Sequence, residues 1–233
     1  MTEHQRAAPD PSDTETATDN PADDSAVGHS STARFATARA LRRLAHAMVA
    51  HQADDRLLEE IGRSADELTR RIEAAPERTH ALLLGGPRMF LGPEESPNTG
   101  FPDGLVTGRA NPMGFGAVMR REGDEAVLTV TLGSAFEGAP GRAHGGVVAT
   151  LIDETMGMVL HIVGAPAFTG RLTVNYRAGT PLNVPLEARS RMAHRDGRKL
   201  MITAELRHGD TLLADADAIF VVVDPERFFP TGP

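Results

Sequence analysis

The stretch Gly141–Met158, GRAHGGVVATLIDETMGM, constrains this chain more than any other. Two glycines end a loop and open an apolar helix, and a single carboxylate, Asp153, follows two turns inside it. The first amides of a helix have no intrahelical partner, and the aligned peptide dipoles leave partial positive charge there. Gly145 and Gly146 present no side chain, so a ligand oxygen can approach Gly146 N–H closely, which is what an oxyanion hole requires. At 100° per residue, Val148, Leu151, Ile152, Thr155 and Val159 fall on one stripe that must be buried. Asp153 lies well off that stripe, beside Gly146, Ala149 and Gly157. Small neighbours leave room for a substrate against the carboxylate.

The flanking pattern says what this helix packs on. Before it, Gly116–Arg121 and Ala126–Leu132 read as strands around the turn Glu122-Gly123-Asp124. After it come four more: Phe168–Arg177, Leu186–His194, Lys199–Arg207 and Thr211–Val223, the last three separated by Arg195-Asp196-Gly197 and His208-Gly209-Asp210. Two strands, a helix from about Gly146 to Val163, then four strands in hairpin succession imply an antiparallel sheet wrapped around one helix, an α+β arrangement over 114–224. Upstream, residues 81–113 form a Gly/Pro-rich connection, and 33–80 a helical extension. In the extension Phe35, Leu41, Leu44 and Met48 mark one helix. Leu58, Ile61, Ala65, Leu68 and Ile72 mark a second, capped near Asp54 or Asp55 and ended by Pro76. Both helices are expected to pack on the domain, a partner-binding hairpin being the alternative. Residues 1–32, rich in Asp, Thr, Ser and Pro, are expected to be disordered.

Charge and composition then exclude several classes. The formal net charge is −8, but residues 1–32 hold seven acids and one base, so the rest carries only about −2. There is no basic footprint for nucleic acid. With no cysteine, disulfides, thiolate metal sites and a Cys nucleophile are ruled out. The nine histidines show no ligand spacing; His46 and His51, five apart on a helix, are expected to face solvent rather than a metal. No apolar run approaches a membrane span, and the start lacks a signal peptide's basic flank and apolar core. Arg42-Arg43 is followed by an amphipathic segment rather than the apolar one a twin-arginine signal needs. The expected location is the cytoplasm.

The spaced set G-x-x-H-G-G, with Asp nine residues after the His, resembles the hotdog-fold acyl-CoA thioesterases of the PaaI and THEM type. The resemblance runs from about Asn111 to Val223. It includes Asn111-Pro112-Met113-Gly114 upstream and Thr169-Gly170-Arg171-Leu172 and Asn175-Tyr176 downstream. It implies a hotdog fold whose sheets join edge to edge in dimers, often paired into tetramers. It also implies an acyl-CoA substrate, with coenzyme A as part of the substrate and no separate cofactor. By the same resemblance His144 lines the thioester and helps orient its carbonyl; a loop-stapling or capping role is the alternative. Thr169, sixteen residues after Asp153, corresponds to a Thr beside the active site that could orient water, against an ordinary strand threonine. Gly145 and Asn111 are carried over as substrate-binding positions, with tight loop packing the other reading of the glycines.

The chemistry can be weighed residue by residue. Hydrolysing a thioester requires a polarised carbonyl and water or a carboxylate delivered to its carbon. Gly146 N–H can do the first, and Asp153 the second, as nucleophile or as general base. Seven helical residues span about 10 Å, so Gly146 and Asp153 of one chain cannot both reach one carbonyl. If both act, they come from two chains meeting at a twofold axis. Glu154 points about 100° away from Asp153, so no carboxylate pair is expected. Arg195, Arg198 and Lys199, at one turn, are candidates to hold the phosphates of coenzyme A; a solvated turn is the competing reading. A hydratase is disfavoured because its Asp and His lie five apart. A non-catalytic acyl-CoA or acyl-carrier binding module, or a scaffold for the N-terminal helices, remains the alternative to an enzyme.

Overall fold

The computed structural model describes residues 32–78 and 102–224. The expected disordered tail, apart from Thr32, and residues 81–101 of the Gly/Pro-rich connection lie outside the described residues.

Two helices come first: α1, Thr32–Ala50, and α2, Asp55–Glu73. Asp54 caps α2, its carboxylate accepting from Leu57 N–H at 2.8 Å. α1 packs on a short 3₁₀ turn, Ser134–Phe136. Ala38 is buried, Arg34 pairs with Asp103 at 3.0 Å, and Arg42 donates to Asn111 C=O at 2.7 Å. His46 does not simply face solvent: Ala135 N–H donates to its Nδ1 at 3.1 Å, and its ring meets Phe136 edge-on. α2 buries no residue, and Leu57, Leu68 and Ile72 of its apolar side stand exposed. The expectation that both helices pack on the domain therefore holds for α1 alone. The periodicity that made α2 legible as a helix carries no information about what covers it.

Six strands form one antiparallel sheet: β1 Val118–Glu122, β2 Glu125–Thr131, β3 Ala167–Tyr176, β4 Pro185–Asp196, β5 Lys199–His208 and β6 Thr211–Val222. Their spatial order is β1-β2-β4-β5-β6-β3. Between β2 and β3 runs α3, Gly145–Ile162, across one face of the sheet. Gly123, Gly197 and Gly209 take positive φ in the tight turns, where L side chains are strained. The core forms where Val148, Leu151, Ile152, Met156 and Val159 of α3 meet Leu128, Leu186, Ala188, Ile202, Ala204 and Phe220. Each large side chain removed from water here stabilises by about 1.5–3 kcal/mol. Buried polar groups under the helix are satisfied, Ser190 donating to Thr155 C=O at 2.7 Å and Thr155 to Leu151 C=O at 2.6 Å. By length and composition α3 is the one helix among the described residues able to cross a membrane, a run the sequence reading had not credited. Its apolar stripe is spent on the sheet.

One expectation about topology fails. The last four strands are not a hairpin succession, because β3 pairs with β6 and not with β4. β4 crosses to the middle, between β2 and β5, where Leu186, Ala188 and Ser190 are buried. β3, which alternates Arg171, Thr173 and Asn175 with smaller apolar residues, takes the edge and is largely exposed. An antiparallel sheet wrapped on a central helix, with the ten-residue β3 as an edge strand among the described residues, is the hotdog arrangement.

Candidate active site

The start of α3 is built by His144. It is the N-cap, with extended backbone, and its Nδ1 accepts from Gly146 N–H at 3.0 Å. The amide expected to polarise a substrate carbonyl thus already has an acceptor, and the capping role of His144 is realised. Gly145 N–H, one residue earlier, has no acceptor among the described residues and is the amide left for a ligand. Gly145 C=O accepts from the Tyr176 hydroxyl at 2.9 Å, so the end of β3 is tied to the first turn of α3. Beside this turn opens a groove of about 330 Å³, lined by Ala143, Gly145, Val148, Tyr176, Arg177 and Thr180 among others. Sequence reasoning missed Tyr176 as a site residue, although it is the chain's single tyrosine and ends the β3 pattern.

Two turns into the helix, Asp153 is half-buried among the small residues expected around it. Thr169 Oγ1 donates to Asp153 Oδ1 at 2.9 Å. A break in register makes this bond possible. Thr169 pairs with Phe220 and Arg171 with Ile219, so Gly170 sits in a bulge. Regular alternation would put residues 170 and 172 on the helix side; the bulge puts Thr169 there beside Leu172. A Cβ on Gly170 would lie 3.1 Å from Val221 Cγ2 and 3.3 Å from Ile219 O, closer than such contacts ordinarily run. A glycine inside a strand was the available signal for this bulge.

Glu154, next along the helix, turns the other way and accepts from Thr107 Oγ1 at 3.2 Å. Burial is the main cause that pushes its carboxyl above the ordinary range; the Asp153 charge adds to this and the Thr107 bond opposes it. Burial likewise pushes His161 below its ordinary value.

The other candidates are placed differently. Asn111 spends its amide on its own loop, donating to Asp103 C=O at 3.0 Å and accepting from Met113 N–H at 2.8 Å. Arg195 donates to Gly197 C=O at 3.2 Å and Arg198 to Val222 C=O at 3.0 Å, so both partly fasten the β4–β5 turn. That turn lies at the Thr169 end of the sheet: Lys199 is in register with Val221, and Val221 with Phe168. Two strand spacings, about 10 Å, separate it from β3. Lys199 itself alternates onto the face turned away from α3, since Leu200 is buried under the helix.

Residues 140–214, covering α3 through the start of β6, match the family model described as Thioesterase superfamily. Acyl-coenzyme A thioesterase THEM4 of Bos taurus is 34% identical over 133 residues, which is 55% of this chain and 51% of that protein. THEM4 of Mus musculus is 35% identical over 97 residues, 41% of this chain and 42% of that protein. The chain spans about half the length of the curated relatives it matches. The crystal structure of protein RHA08564, a thioesterase superfamily protein, superposes with a TM-score of 0.70 at 25% identity, over 83% of this chain and 92% of that one. Sequence and fold agree: the stretch 140–214 matches the thioesterase superfamily, and it lies within a hotdog fold.

Proposed function

We propose that this chain hydrolyses acyl-CoA thioesters, with Asp153 delivering the attacking oxygen. The observation that carries the reading is the Thr169–Asp153 bond: a carboxylate with small neighbours, held by a hydroxyl that leaves its second oxygen available. In the general-base route Asp153 takes a proton from water, the hydroxide adds to the carbonyl carbon, the C–S bond breaks, and coenzyme A leaves as thiolate to be protonated by solvent. In the nucleophilic route Asp153 adds itself, expels the same thiolate and forms a mixed anhydride that water then opens. Either way oxygen charge develops on the carbonyl, and Gly145 N–H at the helix start, the amide without an acceptor among the described residues, is the donor to bind it.

The helix start lies eight residues from Asp153, about 12 Å along the axis, too far for one carbonyl to touch both. The reading therefore takes two chains per site, related by a twofold axis that sets α3 of each antiparallel to the other. The β3 edge, ten residues long and without a neighbouring strand on its outer side among the described residues, is a surface such a pairing would cover. The relatives named as acyl-coenzyme A thioesterases support the substrate class. Release of free thiol from a panel of acyl-CoAs, compared between the wild type and Asp153→Asn, tests the function. Hydrolysis that survives the substitution removes Asp153 from the chemistry, and binding without any thiol release leaves an acyl-CoA binding module.

A further inference from the structure

Three groups at the start of α3 form one hydrogen-bonded line. Tyr176 Oη donates to Gly145 C=O at 2.9 Å. That carbonyl shares a peptide unit with Gly146 N–H, which donates to His144 Nδ1 at 3.0 Å. A ring nitrogen that accepts a hydrogen bond bears no proton, and a neutral imidazole has one proton to place. It must then lie on Nε2, and Nε2–H is the donor an exposed His144 has left to offer. A hydrogen bond accepted at one end of a peptide unit strengthens the donor at its other end. Tyr176 is thereby linked to His144 through one peptide unit.

We propose that Tyr176 is the positioning residue for His144: by holding the Gly145–Gly146 peptide it fixes the Nε2–H form and aims that donor at the carbonyl oxygen of an acyl substrate. The role in turnover rests on the thioesterase reading above; the tautomer does not. Local geometry suits it. Tyr176 is in register with Ala214, on the sheet face that α3 covers, and its phenol lies against Gly145 at ordinary contact, Oη 3.4 Å and Cζ 3.5 Å from where a Cβ would stand. The same ring is a wall of the 330 Å³ groove beside the first turn of α3.

Tyr176→Phe keeps the ring and removes the hydroxyl. Ring-nitrogen NMR of the full chain with ¹⁵N-labelled histidine, His144 being assigned by its loss in His144→Gln, should show a single Nε2–H form in the wild type and mixed forms in Tyr176→Phe. In acyl-CoA hydrolysis Tyr176→Phe should lower kcat about tenfold with KM nearly unchanged, the mark of an interaction made only in the transition state. Because Tyr176 acts through His144, the double variant should be no slower than His144→Gln alone. An Nδ1-protonated His144 in the wild type, unaltered kcat in Tyr176→Phe, or losses that multiply in the double variant would each overturn the proposal. If the wild type hydrolyses no acyl-CoA, the thioesterase reading is what fails, and the ring-nitrogen signals then decide the His144 relay alone.

Discussion

Thr169 reaches from the sheet's edge strand to Asp153 on the central helix, closing 2.9 Å between a hydroxyl and a carboxylate sixteen residues apart in the chain. The bond fixes one carboxylate oxygen and leaves the other for water or substrate. Thr169→Val keeps the shape and removes the donor, so kcat for acyl-CoA hydrolysis should fall by roughly ten- to a hundredfold, less than the roughly 10²–10⁴-fold that an acid or base itself contributes, because Thr169 acts through Asp153. Thr169→Ser should restore most of it. Steady-state thiol release from the three proteins measures this, and a Thr169→Val enzyme as fast as the wild type would reduce Thr169 to an ordinary strand residue.

Gly170 makes that bond possible, and it should be less replaceable than Thr169 itself. A methyl group there meets Val221 Cγ2 at 3.1 Å and Ile219 O at 3.3 Å, the latter being backbone that yields little. Gly170→Ala should lower Tm by a few degrees, equivalent to about 1 kcal/mol in a domain of this size, and should lower kcat as Thr169 loses its aim. Calorimetry beside the thiol assay checks both. A variant with unchanged Tm and unchanged kcat would mean that the bulge tolerates a side chain and does not aim Thr169.

Glu154 gives a pH dependence with a definite sign. Its carboxyl is held above the ordinary value of 4.5, mainly by burial, so the folded protein favours the protonated form. The stability this contributes is complete below the unfolded value and is lost as pH rises through the higher folded value. Glu154→Gln stays neutral throughout and keeps an oxygen for the Thr107 hydroxyl. The two proteins should melt together near about pH 4, and Glu154→Gln should melt higher at neutral pH. Equal Tm values at both pH values would show that the buried charge carries no penalty.

What the sequence disclosed follows from what local periodicity can encode. The stripe Val148, Leu151, Ile152, Thr155 and Val159 is buried as its 100° spacing requires, and the glycine turns at 123, 197 and 209 separate strands where expected. The position of β3 was not legible, because pairing with β6 is a choice between distant strands and no pattern within Ala167–Tyr176 states it. The same holds for Gly146, whose amide looked available until folding brought His144 Nδ1 back onto it. Two helices with clear apolar seams read alike in sequence, yet α1 has the 3₁₀ turn beneath it and α2 is exposed. The α3 motif made the candidate groups legible because the carboxylate and the amides both lie within one continuous helix.

Sharing of the site between chains can be tested by complementation. Asp153→Asn lacks the carboxylate. Gly146→Val spoils the helix start: a Cβ there stands 3.1 Å from His144 Nδ1 and 3.3 Å from its Cε1, so valine displaces the imidazole and crowds the adjoining amides. Each variant alone should be nearly inactive in any homodimer. In a mixed dimer, one site joins the intact helix start of the first chain to the intact Asp153 of the second, while the other site collects both lesions. Random assortment places half of the dimers in the mixed form with one working site of two, so about a quarter of wild-type activity should return. The result is the same whether Asp153 attacks directly or activates water. Co-expression with two affinity tags isolates the mixed dimer, whose thiol release should then be about half that of the wild type, one site of its two being intact. Mixed dimers that form but stay as inactive as their parents would show that Asp153 and the helix start do not meet across an interface.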